Sequence, residues 1–529
     1  MTPKGAARGL LVVGVALRVW QYAADQSFWF DELSIARNVL SRSLSDLVLK
    51  PLAYDQIAPI GYMAMVKLSA LLFGPSDLAL RLPSFLAGIL ALILCWRLAE
   101  ETLDGVAVPI AVGLFAIAIP MVRYSAELKQ YMLDVAAALI MTLIALDLRR
   151  REPTVRQCVI AALTGFVLVW FSQTTVFILA GLGLAFAWLA LVEHDAAARR
   201  PALMVIPVWA IASLAATIVS IRRVPPETLA FMHRFWTSRN GFFPATPRLS
   251  DAFWLWDRVV QFLGRGFSWY AWPGLLAAAA GVGFVVLWRQ RREVALWMLG
   301  PVIVTVIAAC ARQYPFWNRT VLFLAPALVI AIAAAVEWGR SLAARAHRGL
   351  GALVVAPFAV IPVLTLVRIP PPYFYEAFKP VLAYAQSQRR PGDVVYVFSN
   401  AFEGVDHYGP RYGLPSGSYV LGICDERETR PFLDQVDRFR GTPRLWVIGS
   451  SVPEFQYARD AIDRYLGTIG IRRDLLAVPS PLVPQFGPVS AELFDVSDTT
   501  RLRATTVATF QLPPNTTRRF PVCHDWVRP

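Results

Sequence analysis

Charged residues are scarce in this sequence. Asp, Glu, Lys and Arg make up 17% of its 529 residues, whereas a soluble domain carries about a quarter. Hydrophobic residues reach 56% and the mean hydropathy is +0.49, which argues against a soluble globular protein. Apolar runs of roughly 17 to 25 residues, each long enough to span a bilayer, recur up to about residue 367. Most of the chain is therefore predicted to lie in a membrane.

Cysteine is also rare. There are five cysteines, without C-x-x-C spacing or a histidine-rich neighbourhood, so the pattern indicates no metal site. Three lie in or beside apolar runs and are predicted to be ordinary buried thiols: Cys95, Cys158 and Cys310. Cys424 and Cys523 lie in the polar C-terminal part. If that part is extracytoplasmic the two can form a disulfide, and the sequence leaves both states open.

Positive charge is in excess, with a formal net charge of +14 at pH 7. Such an excess is compatible with nucleic-acid binding. The basic residues, however, lie mainly in short loops between apolar runs, where they set the orientation of membrane spans. We therefore predict membrane lipids, and no nucleic acid, as partners.

The apolar segments predict a polytopic α-helical membrane protein. The first is interpreted as an uncleaved span because no small-residue cleavage site precedes Asp25. About eleven candidate spans cover residues 9–24, 83–98, 106–122, 131–148, 157–172, 174–192, 202–221, 268–288, 294–311, 320–338 and 350–367.

A twelfth segment, residues 59–74, decides the orientation of the chain. It is apolar but short, and Lys67 lies near its middle. If it crosses the membrane, the basic clusters at 149–151 and 289–292 fall on the opposite side from the N-terminus, against the positive-inside bias. If it does not cross, all strong clusters share one side. We adopt the second interpretation, in which Lys67 reaches toward the lipid headgroups.

Two domains follow from this interpretation. Residues 1–367 form a membrane domain with a first outer loop, 25–82, that holds interfacial helices, and a further outer loop, 222–267. Residues 368–529 form a small extracytoplasmic α/β domain, for which we predict a helix and three strands and a structural or acceptor-handling role, because no glycine-rich nucleotide fingerprint is present. The helix is predicted at 376–388 and the strands at 394–398, 445–448 and 506–512.

The first two outer loops contain the motifs that carry chemistry. The first begins with Phe28-Trp29-Phe30-Asp31-Glu32, a pair of carboxylates directly after an aromatic cluster. A surface Asp–Glu pair is common and interfacial aromatics are expected, so this motif alone does not define a catalytic site. Three more polar motifs follow. The first, residues 54–62, begins with Tyr54-Asp55-Gln56, and the second, residues 73–83, runs from Phe73-Gly74-Pro75 to Arg81-Leu82-Pro83. The third runs from Arg123 to Tyr131.

Taken in order, these motifs resemble the GT-C membrane glycosyltransferases related to the protein O-mannosyltransferases and the lipid A aminoarabinose transferase. The resemblance is best over residues 28–131 and continues through Arg319-Thr320. Glu127, Lys129 and Tyr131 are similar to the family's acidic-basic-tyrosine motif, whereas Gln56 is not a general family feature. The resemblance implies a GT-C fold in a bacterial inner membrane, with the C-terminal domain in the periplasm.

The resemblance also implies a polyprenyl-phosphate-linked sugar donor, of hexose or pentose type, and a lipid, glycan or protein acceptor. Such transfer needs one carboxylate to deprotonate the acceptor hydroxyl, and Asp31 is our candidate for that base. A single displacement inverts the anomeric centre. The phosphate leaving group needs fixed positive charge, for which Arg81, Lys129 and Arg319 are candidates.

The other candidates orient substrate. Glu32, Asp55 and Glu127 can orient the sugar or the base, or bind a divalent metal ion. The remaining substrate-binding candidates are Gln56, Arg123 and Tyr131. Each cationic candidate also has a purely structural alternative, since Arg81 can be an interfacial anchor, Lys129 can pair with Glu127, and Arg319 can mark a span end.

Two other classes of protein remain as alternatives. A transporter or flippase for a lipid-linked or polar solute usually has ionisable residues near the membrane midplane and two similar halves, which this sequence does not show. Within the predicted spans Arg18 stands out, because a charge in hydrocarbon is costly, and we interpret it as a side chain that extends to the membrane surface. A polysaccharide polymerase or ligase also uses outer loops, but it does not predict the Asp31-Glu32 motif.

Overall fold

A computed structural model gives the fold of the chain. Contacts divide it into two units, Met1–Ala24 with Ala36–Pro372, and Asp25–Ile35 with Tyr373–Pro529. The segment that contains Asp31 and Glu32 therefore groups with the C-terminal unit. The residues described are 2–150, 153–266, 272–424, 428–451, 456–483, 487–498, 500–501 and 506–511.

Helices form the chain up to residue 368. They are α1 (Pro3–Ala23), α2 (Phe30–Ser41), α3 (Leu44–Leu49), α4 (Ile60–Phe73), α5 (Asp77–Thr102), α6 (Ala107–Ile117), α7 (Ile119–Arg123), α8 (Tyr131–Arg150), α9 (Val155–Phe171), α10 (Thr175–Leu191), α11 (Ala196–Met204), α12 (Ile206–Arg222), α13 (Pro226–Thr237), α14 (Trp254–Gln261), α15 (Pro273–Gln290), α16 (Arg292–Cys310), α17 (Ala325–Ala346) and α18 (Arg348–Arg368). Short 3-10 segments occupy Tyr124–Ala126, Leu249–Phe253 and Asn318–Leu324.

Hydroxyl side chains fix where several of these helices begin. Ser76 precedes α5, and its Oγ accepts the N–H of Ala79 at 3.2 Å. Thr154 forms a capping box with Gln157 at the start of α9. Such caps satisfy N–H groups that have no partner within the helix. The apolar runs between the caps are thereby divided into separate helices.

The predicted count of eleven membrane spans is not confirmed. Within the described ranges seven helices are long and apolar enough to cross a membrane, or eight if the bent pair α6–α7 forms one span. Three further apolar helices, α4, α9 and α10, are shorter, with 14, 17 and 17 residues. The seven are Asp77–Thr102, Tyr131–Arg149, Ala196–Arg222, Pro273–Gln290, Arg292–Cys310, Asn318–Ala346 and Gly349–Arg368. The fold class, a mostly helical membrane protein with a small C-terminal sheet, is confirmed.

The break between α6 and α7 explains Arg18. The two helices meet at 59°, and Pro120, which has no N–H, leaves the carbonyl of Ala116 without its helical donor. Arg18 of α1 is fully buried and donates to the carbonyl oxygens of Ala116 at 3.0 Å and Phe115 at 3.4 Å. The expectation that Arg18 reaches the membrane surface is therefore wrong. Its side chain replaces the donors that the broken helix lacks.

Small residues allow close contacts between helices in the first unit. A Cβ built on Gly283 of α15 would lie 1.8 Å from the carbonyl oxygen of Ala331 on α17. A Cβ on Gly181 of α10 would lie 2.2 Å from the backbone nitrogen of Pro301 on α16. Backbones that approach this closely gain dispersion energy where lipid removes the hydrophobic driving force. These two helix pairs therefore require glycine at these positions.

The C-terminal unit has a five-stranded mixed sheet in the order β2-β1-β3-β5-β4. β1 pairs in parallel with β2 and β3, and β5 pairs antiparallel with β3 and β4. The elements are α19 (Phe378–Gln388), β1 (Val394–Val397), α20 (Phe402–Tyr408), β2 (Val420–Leu421), α21 (Arg430–Asp437), β3 (Leu445–Ser451), α22 (Gln456–Ile469), β4 (Ile471–Val478) and β5 (Gly487–Asp495).

Predictions for this unit had mixed outcomes. The helix at 376–388 and the strands at 394–398 and 445–448 are confirmed with small shifts in their ends. The strand predicted at 506–512 is wrong for 506–511, which form a turn, because Thr506 and Thr509 bond each other's backbone and side chains. Cys523 lies outside the described residues, so its pairing with Cys424 stays a prediction.

Candidate active site

The connection between α7 and α8 holds a buried ion pair. Arg123 ends α7, and its Nη2 lies 3.1 Å from the Oε2 of Glu127, with both side chains less than 10% exposed. The guanidinium carbon lies 4.0 Å from the ring centroid of Tyr124, and that ring packs edge-on against Tyr131, with centroids 4.9 Å apart. A buried pair is costly to break because either charge alone would be unpaired. Arg123 and Glu127 therefore hold the connection in a fixed shape.

Lys129 joins this connection to the segment around Asp55. Its Nζ donates to the Oε1 of Gln56 at 2.8 Å. Its carbonyl oxygen accepts a hydrogen bond from Ser84 Oγ on α5 at 2.9 Å. The Glu127 carboxylate contacts Arg123, and the backbone N–H of Lys129 donates to the Glu127 carbonyl at 2.7 Å. The amide oxygen of Gln56 thereby orients the ammonium.

Asp55 lies in a strained turn that α13 supports. Tyr54 and Asp55 have left-handed backbone angles, φ of 62° and 51°, which cost a non-glycine residue free energy. Thr228 on α13 donates from its Oγ1 to the Oδ1 of Asp55 at 2.6 Å. This bond links the predicted outer loop 222–267 to the motif around Asp55 within one unit.

The remaining cationic candidates of this unit lie on other elements. Arg81 is buried in the second turn of α5, so it is not an exposed interfacial anchor. Arg319 lies in the 3-10 segment before α17, with its guanidinium carbon 5.8 Å from the ring centroid of Trp236 on α13. Arg258 similarly lies 5.4 Å from the ring of Trp317. Each of these two arginines thus lies within cation–π distance of a tryptophan ring.

Asp31 and Glu32 occupy the first turn of α2, in the part that groups with the C-terminal unit. Glu32 is buried, and its Oε2 accepts the N–H of Trp29 at 3.4 Å. It therefore folds back onto its own helix start, as a capping carboxylate does. Asp31 is half-buried.

A buried carboxylate that sequence reasoning missed lies beside this connection. Asp134 is 4% exposed in the first turn of α8 and lies beside the hydroxyls of Ser172 and Thr174. Next to it Tyr314 is buried, which raises its pKa well above the usual value, and its hydroxyl donates to the Thr320 carbonyl at 2.8 Å. An Asp near the start of the apolar run 131–148 was the available signal.

The carboxylates proposed for a metal ion have other partners. Glu127 contacts Arg123, Asp55 accepts from Thr228, and Glu32 accepts from a backbone N–H. Among the residues that the structure describes, no three His, Cys, Asp or Glu side chains come together as a metal site. This donor set does not fit a divalent cation, and no step below is routed through one.

The apolar helices are those of a multi-pass membrane protein, and comparison with known sequences shows what part of it resembles. Residues 58–220 match the sequence profile of the dolichyl-phosphate-mannose-protein mannosyltransferase family. The match covers a part of the membrane domain, and over these residues it confirms the resemblance drawn from the motifs. No curated protein sequence matches the chain.

Solved structures with similar architecture include ArnT from Cupriavidus metallidurans in the apo state, at 15% identity, a TM-score of 0.48, and coverage of 92% of this chain and 98% of that one. The same protein bound to undecaprenyl phosphate is similar at 13% identity and a TM-score of 0.48, with the same coverage of both chains. The Archaeoglobus fulgidus oligosaccharyltransferase in complex with zinc and sulfate is similar at 15% identity and 0.48, over 91% of this chain and 73% of that one.

Proposed function

We propose that this chain transfers a sugar from a polyprenyl-phosphate carrier to a hydroxyl group of a lipid, glycan or protein acceptor. The observation that carries the proposal is the contact between Lys129 and Gln56. It joins the second outer connection to the first, and Lys129 lies inside the stretch 58–220 that matches the mannosyltransferase family. Buried, oriented positive charge is what a departing phosphate requires.

Lys129 is the proposed primary contact of the phosphate. Its Nζ donates to the amide oxygen of Gln56, which orients the ammonium on this connection. Arg81 and Arg319 are proposed as further phosphate contacts because one guanidinium group can bind two phosphate oxygens at once, in a bidentate contact. Arg123 has a different proposed role, since its pairing with Glu127 keeps the connection in shape.

Asp31 is the proposed general base. It takes the proton of the acceptor hydroxyl as that oxygen attacks the anomeric carbon. The bond from this carbon to the phosphate oxygen breaks with its electron pair, and the polyprenyl phosphate leaves as an anion. One displacement gives a product of inverted configuration. Asp55, Gln56 and Tyr131 are proposed to orient the sugar.

The helix α13 and its neighbouring arginines are proposed to cover the lipid carrier. Its aromatic side chains and the stacked Arg319 suit an interfacial segment that meets a phosphate-bearing lipid. The proposed setting is a bacterial inner membrane with the C-terminal domain in the periplasm, which the positive-inside bias supports.

Transfer assays test the proposal. Purified wild-type protein and Asp31→Asn are incubated with radiolabelled polyprenyl-phosphate sugars, of hexose and pentose type, and native lipid extract as acceptor. We expect transfer by the wild type and a loss of roughly 10²–10⁴-fold in kcat for Asp31→Asn. The anomeric configuration of the product, read by NMR, should be opposite to that of the donor.

Asp46→Asn is the matched control. Asp46 lies on α3 and pairs with Lys50 at the surface, so its loss should leave transfer unchanged. Full activity of a folded Asp31→Asn protein would remove Asp31 from the mechanism. Donor binding without transfer by the wild type would favour the transporter instead.

A further inference from the structure

The carboxylate of Glu376 lies against the start of the helix that carries Asp31. Its Oε2 accepts the backbone N–H of Phe30 at 2.8 Å, and Phe30 is the first residue of α2 and directly precedes Asp31. Its Oε1 accepts a hydrogen bond from the hydroxyl of Ser450 at the end of β3. Glu376 is 7% exposed. All these residues belong to the C-terminal unit.

Further bonds hold the residues just before Phe30. The N–H of Phe28 donates to the hydroxyl of Tyr408 at 2.7 Å. Lys379 pairs with Asp25 at 2.8 Å, and its backbone N–H donates to Ser27 Oγ at 2.9 Å. The backbone of residues 25–30 is therefore attached at several points, and Glu376 holds the last of them before Asp31.

We propose that Glu376 is a positioning residue, which fixes the first N–H of α2 and thereby the direction in which the Asp31 side chain leaves that helix. This inference rests on the proposed role of Asp31 as general base. It gives the C-terminal domain a part in building the catalytic geometry. A structural role in the sheet alone would instead make Glu376 important for stability and neutral for chemistry.

The physical basis is the unsatisfied start of a helix. The first N–H groups of a helix have no internal partner, and a carboxylate is their strongest acceptor because it also interacts with the helix dipole. Burial raises the pKa of Glu376, while the hydrogen bonds from Ser450 and Phe30 favour its ionised form. A glutamine at this position keeps an acceptor for Phe30 and a donor for Ser450 without a buried charge.

The test compares Glu376→Gln and Glu376→Ala with wild-type protein in the full chain. Loss of the acceptor should displace Asp31 while leaving the donor site in place. We expect Glu376→Ala to lower kcat by roughly 10–100-fold, because a misplacement of about 1 Å costs about this much, with the donor KM within about threefold. Glu376→Gln should stay within roughly threefold of wild type in both.

Tyr384→Phe is the matched control for domain stability. Tyr384 on α19 bonds Asp474 on β4 at 2.6 Å, so its loss weakens the same unit without removing the acceptor of Phe30. We expect it to retain wild-type kcat. A kcat loss in Tyr384→Phe equal to that in Glu376→Ala would overturn the proposal in favour of general destabilisation.

Hydrogen–deuterium exchange gives a readout that does not depend on activity. Peptides containing residues 28–33 should exchange roughly tenfold faster or more in Glu376→Ala, and at the wild-type rate in Glu376→Gln and Tyr384→Phe. Unchanged exchange in Glu376→Ala, or equal losses in the Ala and Gln variants, would overturn the proposal. If wild-type protein transfers no sugar, the proposed function fails, and exchange alone then decides whether Glu376 anchors Phe30.

Discussion

Arg18 of α1 donates a hydrogen bond to the carbonyl oxygen of Ala116, 98 residues away, at a distance of 3.0 Å. The bond lies at the break between α6 and α7, where Pro120 offers no N–H to that carbonyl. Charged side chains inside a membrane are costly unless they are paired or face a cavity. Here Arg18 donates to the carbonyl groups at the end of α6. The helix after the break, α7, leads into the connection that holds Arg123 and Lys129.

Arg18→Met should therefore destabilise the first unit. Two carbonyl groups would lose their donor, at about 1–3 kcal/mol for a buried group left unsatisfied. Thermal unfolding in detergent measures the effect. Arg8→Met is the control, because Arg8 is exposed on the same helix. Equal melting temperatures for the two variants would contradict the role of Arg18.

Lys129→Met should lower kcat/KM for the donor by roughly 10²–10³-fold, because one preorganised charge at a developing anion is worth about 3–4 kcal/mol. Lys129→Arg should keep part of the activity. The measurement is transfer at varied donor concentration. Lys50→Met, at an exposed lysine of the first outer segment, is the control and should be unchanged. Wild-type kinetics for Lys129→Met would place the phosphate elsewhere.

Thr228→Val should weaken donor use through Asp55. The variant removes the hydroxyl that holds Asp55 in its left-handed conformation, and a lost hydrogen bond to a charged group costs about 1.5–3 kcal/mol. We expect the donor KM to rise several-fold. Thr228→Ser keeps the hydroxyl and should behave as wild type. A similar KM for the Ser and Val variants would show that this bond is not used.

Asp463→Asn should change how the stability of the C-terminal unit depends on pH. Burial raises the pKa of Asp463 to about 6. Arg459 and Arg472 lower this pKa, and the charges of Glu492 and Asp460 raise it. The folded state then binds this proton more tightly than the unfolded state, so ionisation lowers stability as pH rises through about 6.

Between pH 5 and pH 8 the stability of Asp463→Asn relative to wild type should rise by about 1 kcal/mol. Hydrogen exchange of the α22 peptides measures it. Asp495→Asn is the control, because hydrogen bonds from Ser497 and Arg473 hold the pKa of Asp495 at about 2. The difference in stability between Asp495→Asn and wild type should be constant between pH 5 and pH 8. A constant difference for Asp463→Asn as well would refute the prediction.

Local sequence patterns predicted much of the C-terminal fold, with clear exceptions. β1 was predicted because an apolar run follows Gly392-Asp393, a turn signal. β4 was missed because its sequence, Ile471-Arg472-Arg473-Asp474 and onward, has three consecutive charged residues. In the sheet Arg472 pairs with Glu492 and Arg473 with Asp495 on the neighbouring strand, so cross-strand ion pairs offset the polar composition.

The candidate site shows the same division. The residue types and their order along Asp31, Asp55, Arg81 and Lys129 were visible in the sequence, and they were sufficient to identify the resemblance that the family match confirms. Asp134 was overlooked because its apolar neighbours were taken as an ordinary span. The metal alternative could be weighed only when the partners of the carboxylates were known.

The sequence by itself indicated a membrane protein and a resemblance to a glycosyltransferase family, because hydrophobicity and motif chemistry are local properties. Only the tertiary structure decided which partner each buried charge takes. Glu376 meets Phe30 across 346 residues and Arg18 meets Ala116 across 98. A buried charge must be satisfied by whichever group the fold brings to it, and no local pattern specifies that group.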